Sequence, residues 1–174
     1  MKYENVPSKF KWENLGDLSI GRNNLGDSMP VLVYRLLQYS IKDILSREYD
    51  SETAANLFRA AGRLAGMELS KNVLDLSGDF DYFVTNLQKQ LLDLKIGILR
   101  IEKADLENLS LVLTVSEDLD CSGLPVTDET VCDYDEGFIA GILESYTGKK
   151  FSVKEIDCWA SGDRTCRFTV DLQA

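Results

Sequence analysis

Residues 132–170 read CDYDEGFIAGILESYTGKKFSVKEIDCWASGDRTCRFTV, and two hydrophobic periods follow one another within that run. Phe138, Ile139, Ile142 and Leu143 recur at steps of three and four, the spacing of an amphipathic helix. Asp133 can cap this helix, Asp135 and Glu136 suit the positive end of its dipole, and Gly148 is its stop signal. From Phe151 onward the period falls to two. Phe151 to Cys158 and Thr165 to Val170 read as strands, with Ser161-Gly162-Asp163 as the turn between them. Strands joined so closely pair antiparallel.

Upstream of that run, Leu109, Leu111, Leu113 and Val115 alternate with mostly polar residues, and Ile96 to Glu102 reads as a further strand. Earlier still the period is helical. Pro30 opens a first helix whose stripe is Val33, Leu37, Ile41 and Ile44, ending near residue 46. Asp50-Ser51 caps a second, striped by Leu57, Ala61, Leu64 and Glu68. Within it, Ala61-Gly62 and Ala65-Gly66 set small residues four apart, which predicts close packing against another backbone. Asp79 caps a third, carrying Phe80, Phe83, Val84, Leu87, Leu91 and Leu94. Residues 1–29, with Pro7 and glycines at 16, 21 and 26, form an arm or hairpin too poor in apolar residues to hold a core, and are a candidate dimerisation element. Three helices, two strands, a helix and two strands predict an α+β fold over residues 30–174, an antiparallel sheet with helices packed on it.

The 174 residues are 44% hydrophobic and 28% charged, which excludes disorder. With 29 acidic residues, 19 basic ones and no histidine, the net charge is −10, and there is no basic excess for direct nucleic-acid binding. A Ser-His hydrolase is excluded, and any metal must be held by sulfur and oxygen. No stretch approaches the roughly 20 apolar residues of a membrane span. No apolar run follows Met1-Lys2-Tyr3-Glu4, so no secretion signal is expected and the chain is placed in the cytoplasm. Four cysteines in that compartment are thiols or ligands rather than disulfides.

Cys132 sits at the mouth of the fourth helix. Cys158 and Cys166 fall opposite each other if the last hairpin is centred on Gly162. Glu155 continues the face of Phe151 and Val153, and a buried carboxylate needs a partner. Three thiolates and one carboxylate would match tetrahedral zinc. Glu155 and Cys158, three apart on a strand, point to opposite faces unless a bulge intervenes near Ile156-Asp157. Spacing alone leaves metal binding, free thiols and a disulfide open. Cys121, eleven positions before Cys132, is a free thiol or a swapped ligand.

The run Cys132-Asp-Tyr-Asp-Glu-Gly-Phe-Ile-Ala-Gly, then Val153-Lys-Glu155-Ile-Asp-Cys158, then Ser161-Gly162-Asp163-Arg-Thr-Cys166-Arg-Phe168 resembles the signature of the 4-vinyl reductase domain family. These are small-molecule or hydrocarbon-binding domains, among them the sensor domains of bacterial activators that respond to aromatics. The resemblance implies a fold like that of TRAPP subunits and heme nitric-oxide sensors, a homodimer, and one zinc on Cys132, Glu155, Cys158 and Cys166 near an apolar pocket. The aromatic sensors hold a phenolic hydroxyl with a histidine and a tryptophan. This chain has no histidine, and its tryptophans are Trp12 and Trp159, so a different small apolar ligand is expected and heme lacks its usual ligand. Phe83, Leu111, Leu113 and Phe138 are the candidate lining. The expected function is a zinc-containing, non-enzymatic sensory domain that relays occupancy to a partner or effector domain. The alternatives are a dimeric adaptor without ligand and, with no nucleotide loop in view, a reductase acting on a vinyl group.

Overall fold

The computed structural model describes residues 7–173; residues 1–6 of the expected arm lie outside the described residues. From residue 7 to 29 the chain makes a 3-10 turn, Trp12–Leu15, and a short helix α1, Leu18–Gly21, with no hairpin among the described residues there. Asp17 caps α1 by accepting from the N–H groups of Ser19 and Ile20. The Trp12 N–H donates to Glu68 at 3.0 Å and pins the arm to the body.

Helix α2 spans Val31–Glu48, with Pro30 at its N-cap. Its stripe of Val33, Leu37, Ile41 and Ile44 is exposed, with Leu37 at 62%. The inward face is polar instead. Arg35 donates to the carbonyls of Leu119 and Ser122, Tyr34 and Gln38 bond Asp120, and Lys42 reaches Asp133. The orientation is set by the carbonyls and carboxylates of the loop below, which need donors when buried.

Helix α3, Ser51–Val73, is capped by Asp50. Its buried residues are Ala54, Gly62, Gly66, Leu69 and Ser70, so the face expected from Leu57, Ala61, Leu64 and Glu68 is rotated. Ala61 and Leu64 are exposed. The reason is the partner helix α5, Asp133–Thr147, which crosses α3 backbone to backbone. A Cβ on Gly62 would meet the Tyr134 carbonyl oxygen at 2.0 Å, and one on Gly137 would meet that of Arg59 at 1.9 Å. Gly66 and Gly141 close the same seam against Phe138 and Arg63. Cys132 takes the α5 N-cap position, with Asp133 the first helical residue, and Gly148 ends the helix at φ 72°.

Helix α4, Phe80–Asp93, is capped by Asp79 and buries Phe83, Leu87 and Leu91. The strands are β1, Ile98–Asp105; β2, Ser110–Ser116; β3, Phe151–Asp157; and β4, Cys166–Leu172. They form one antiparallel sheet in the order β1-β2-β4-β3. Leu111, Leu113, Val115, Phe151, Val153, Phe168 and Val170 are buried on it and meet α4 and α5 in the core. The pairing of β3 with β4 shifts between Glu155 and Asp157, which is the bulge the strand geometry demanded. No helix among the described residues is long and apolar enough to cross a membrane.

Gly137→Ala is expected to lower stability by about 1–3 kcal/mol or more, because its methyl meets backbone that cannot move aside. Gly21→Ala, where nothing lies within 4 Å, is expected to change it by less than about 0.5 kcal/mol. Urea unfolding of both variants checks this, and equal midpoints would show that the seam tolerates separation.

Candidate functional site

Four segments deliver cysteines to one buried point. Cys132 comes from the α5 N-cap, Cys158 from the end of the bulged β3, and Cys166 from the start of β4. Asp157 pairs with Arg167, so Cys158 and Cys166 are the next positions on the two strands, as a hairpin centred on Gly162 requires. Cys121 arrives from the loop after β2. Asp118 shapes that loop by accepting from the N–H of Asp120 at 2.8 Å and of Cys121 at 3.0 Å. All four are free thiols, and their sulfurs lie within 4.8 Å of one another. Cys121 and Cys166 are 3.1 Å apart; Cys132 stands 3.8 Å from both Cys158 and Cys166.

The bulge turns Ile156 outward, 49% exposed, and lets Glu155 and Cys158 face the same interior. Glu155 accepts from the Cys132 N–H through Oε2 at 3.0 Å, while its buried Oε1 has no partner. Burial, then the charge at Cys158, pushes the Glu155 carboxyl up to about 8. Hydrogen bonds from Cys121, then Cys132 and Cys166, push Cys158 down toward thiolate, while the neighbouring thiols hold Cys132 protonated. Four soft donors around one point, one poised as thiolate, suit a cation that would deprotonate the rest. The cluster can therefore hold a metal ion. It brings together Cys132, Cys158 and Cys166 of the expected set and adds Cys121, leaving Glu155 beside the sulfurs. Nothing in the spacing of Cys121 marked it; only folding of the loop carries it there.

Next to the cluster lies a cavity of about 40 Å³ between α4, α5 and the sheet. Phe83, Leu111, Leu113 and Phe138 all line it, with Leu87 and Ile142. Asp118 and Asp135 line it too, and their carboxylates and the Cys132 sulfur lie within 4.8 Å of one another. Sequence reasoning missed these carboxyls, because the place of Asp135 at a helix start marks it only as a dipole partner. Asp120 is buried close by and accepts from Tyr34 at 2.7 Å and Gln38 at 2.6 Å. Burial, then the charge of Asp120, pushes Asp118 up to about 7. Burial, then Asp118, pushes Asp135 well above the usual carboxylate range. Trp159 takes no part in the cavity: its indole N–H donates to the Leu124 carbonyl at 3.0 Å.

The model of the 4-vinyl reductase domain family matches residues 111–172, which include every cysteine of the cluster and both cavity carboxyls. The uncharacterized protein MJ1642 of Methanocaldococcus jannaschii is 31% identical over 153 residues, covering 85% of this chain and 81% of that one. The chain belongs to the 4-vinyl reductase domain family. A second uncharacterized protein of that organism, MJ0150, is 30% identical over 108 residues, and the match covers 62% of this 4-vinyl reductase domain chain but only 61% of the relative. Among solved structures, a vinyl-4-reductase family protein from Methanocaldococcus jannaschii has a TM-score of 0.65 at 19% identity, covering 97% of this chain and 100% of that one. The phenol-responsive sensory domain of the transcription activator PoxR, solved with phenol, has a TM-score of 0.62 at 18% identity, covering 84% and 78%. A trafficking protein particle complex subunit 3 from Naegleria fowleri, covalently bound to palmitic acid, has a TM-score of 0.63 at 14% identity, covering 83% and 95%. These structures share the α+β fold that the resemblance implied for this 4-vinyl reductase domain.

Asp118 and Glu155 hold protons in the fold up to about pH 7 and 8, whereas the unfolded chain releases them near 3.8 and 4.5. Their stabilising effect is full below those lower values and is lost as pH rises through the higher ones. The melting temperature of chelator-treated protein is therefore expected to rise as pH falls from 8 to 5, and Asp118→Asn should flatten the slope. A pH-independent melt in that window would place both carboxyls in a polar setting.

Proposed function

We propose that this 4-vinyl reductase domain is a sensory module that takes a small, largely apolar molecule into the cavity beneath α4 and α5 and relays its occupancy to a partner or effector domain. Residues 30–174 form the ligand-binding unit in this reading. The observation that carries it is the size and chemistry of the cavity: about 40 Å³, with all but two of its lining residues apolar. A dry cavity of roughly 150 Å³ takes up benzene. A guest of that size therefore has to part α4, α5 or the sheet, because packed interiors do not compress. Volume alone then couples occupancy to shape, which is what a ligand needs in order to shift a population. The phenol bound by the PoxR sensory domain supports a compact guest.

In this reading the cysteine cluster holds one zinc through Cys121, Cys132, Cys158 and Cys166. Glu155, implied as a ligand by the resemblance, instead orients Cys132 through its backbone N–H. The zinc is structural, and it ties the β3–β4 hairpin and the Cys121 loop to the start of α5. The protein acts as a homodimer through α2, whose apolar stripe faces away from its own core while its polar face is satisfied within the chain. The arm of residues 1–29 adds to that contact.

Three measurements test these parts. Mass spectrometry of small molecules released from purified protein, with a thermal-shift screen of six- to ten-carbon compounds, should find a stabilising guest; no release and no shift would sink the sensory reading. Elemental analysis should give one zinc per chain, with retention falling at least about tenfold in Cys121→Ser and persisting in Glu155→Gln. The reverse pattern would restore the carboxylate as ligand. Sedimentation should show a dimer that Leu37→Glu converts to monomer, and an unchanged sedimentation coefficient would move the interface elsewhere.

A further inference from the structure

Three acidic residues open α5, and the structure treats them differently. Asp133 is paired with Lys42 at 2.7 Å and Arg59 at 2.6 Å. Glu136 is paired with Arg59 and with Lys154 at 3.0 Å. Asp135, 8% exposed, has no cation among the described residues, and its buried Oδ2 has no hydrogen-bond partner. It is also the member of the three that lines the cavity. The neighbouring carboxyls have their own donors. Asp118 Oδ1 accepts from two backbone N–H groups, and Asp120 accepts from Tyr34 and Gln38. Dipole compensation at the helix start is already supplied by Asp133 and Glu136, so it does not account for a third acid turned into an apolar space. Buried polar atoms without partners are rare in native folds and mark places where something else belongs.

We propose that Asp135, backed by Asp118, is the head-group subsite of the cavity, and that the guest is an apolar molecule carrying one hydrogen-bond donor, a hydroxyl or an amine. This assignment rests on the sensory reading and adds the ligand class. The apolar walls seat the body of the molecule, and the open Oδ2 accepts from its head. A guest that ends in a carboxylate is rejected, because it would meet Asp118 and Asp135 with no cation lining the cavity to offset the repulsion. A plain hydrocarbon fills the space but leaves the acceptor unmet. A site built to bond a polar head discriminates strongly against a guest that lacks it.

The test uses the full chain and four compounds of one skeleton: methylcyclohexane, cyclohexanol, cyclohexylamine and cyclohexanecarboxylate. Affinities are read by calorimetry for the natural protein and for Asp135→Leu. Cyclohexanol and cyclohexylamine are expected to bind the natural protein about tenfold more tightly than methylcyclohexane, in line with a hydrogen bond to a charged or strongly polar acceptor. The carboxylate should not bind. In Asp135→Leu the order should invert, with methylcyclohexane binding at least as well as cyclohexanol. If that variant fails to fold, Asp135→Asn replaces it, and there the amine should lose its advantage over methylcyclohexane. Equal affinity for all heads, or an order unmoved by the substitutions, overturns the subsite and leaves the cavity reading standing. No binding by any of the four removes both. A second metal equivalent per chain, lost in Asp135→Leu, would assign Asp118, Cys132 and Asp135 to a cation and overturn the head-group role.

Discussion

The crossing of α3 and α5 is the contact on which the other arrangements depend. Gly62 and Gly66 on one helix face Gly137 and Gly141 on the other, so the two backbones approach to a distance that no side chain at these positions permits. The flanking ion pairs of Arg59 with Asp133 and Glu136, and of Arg63 with Glu144, lie on the same seam and fix its register. This approach sets α5 at one height over the sheet. That height puts Cys132 among the other three sulfurs, Phe138 against the cavity and Asp135 at its end. A helix lifted by one methyl group would move all three together.

The cluster and the cavity share their border. Cys132 belongs to the four sulfurs and also to the trio with Asp118 and Asp135, and Asp118 both shapes the Cys121 loop and lines the cavity. A movement of α5 that admits a guest is therefore felt at the cluster, and a cation held at the cluster restrains that movement. This gives a physical route between two adjoining sites, with no need for a longer pathway. The outward apolar stripe of α2 lies on the same body, and Tyr34, Arg35 and Gln38 on its inner face grip the loop from Asp118 to Ser122. Changes at that loop have a direct mechanical connection to the surface proposed for the second copy.

Element types and their order are legible in the amino-acid string, because helical and strand periods are local properties written every few residues. Asp50 and Asp79 as caps, Gly148 as a stop and the hairpin centred on Gly162 are readable for that reason. The need for a bulge after Glu155 also follows in advance, from two side chains that had to share one face. Which face of each helix turns inward is settled only by packing. The glycine seam displaces the stripe expected on α3, and α2 turns its polar side to the core to satisfy loop carbonyls. Packing alone brings Cys121 to the other sulfurs and leaves Asp135 facing an apolar space without a donor. Such facts depend on groups distant along the chain meeting in space, and no local period encodes them.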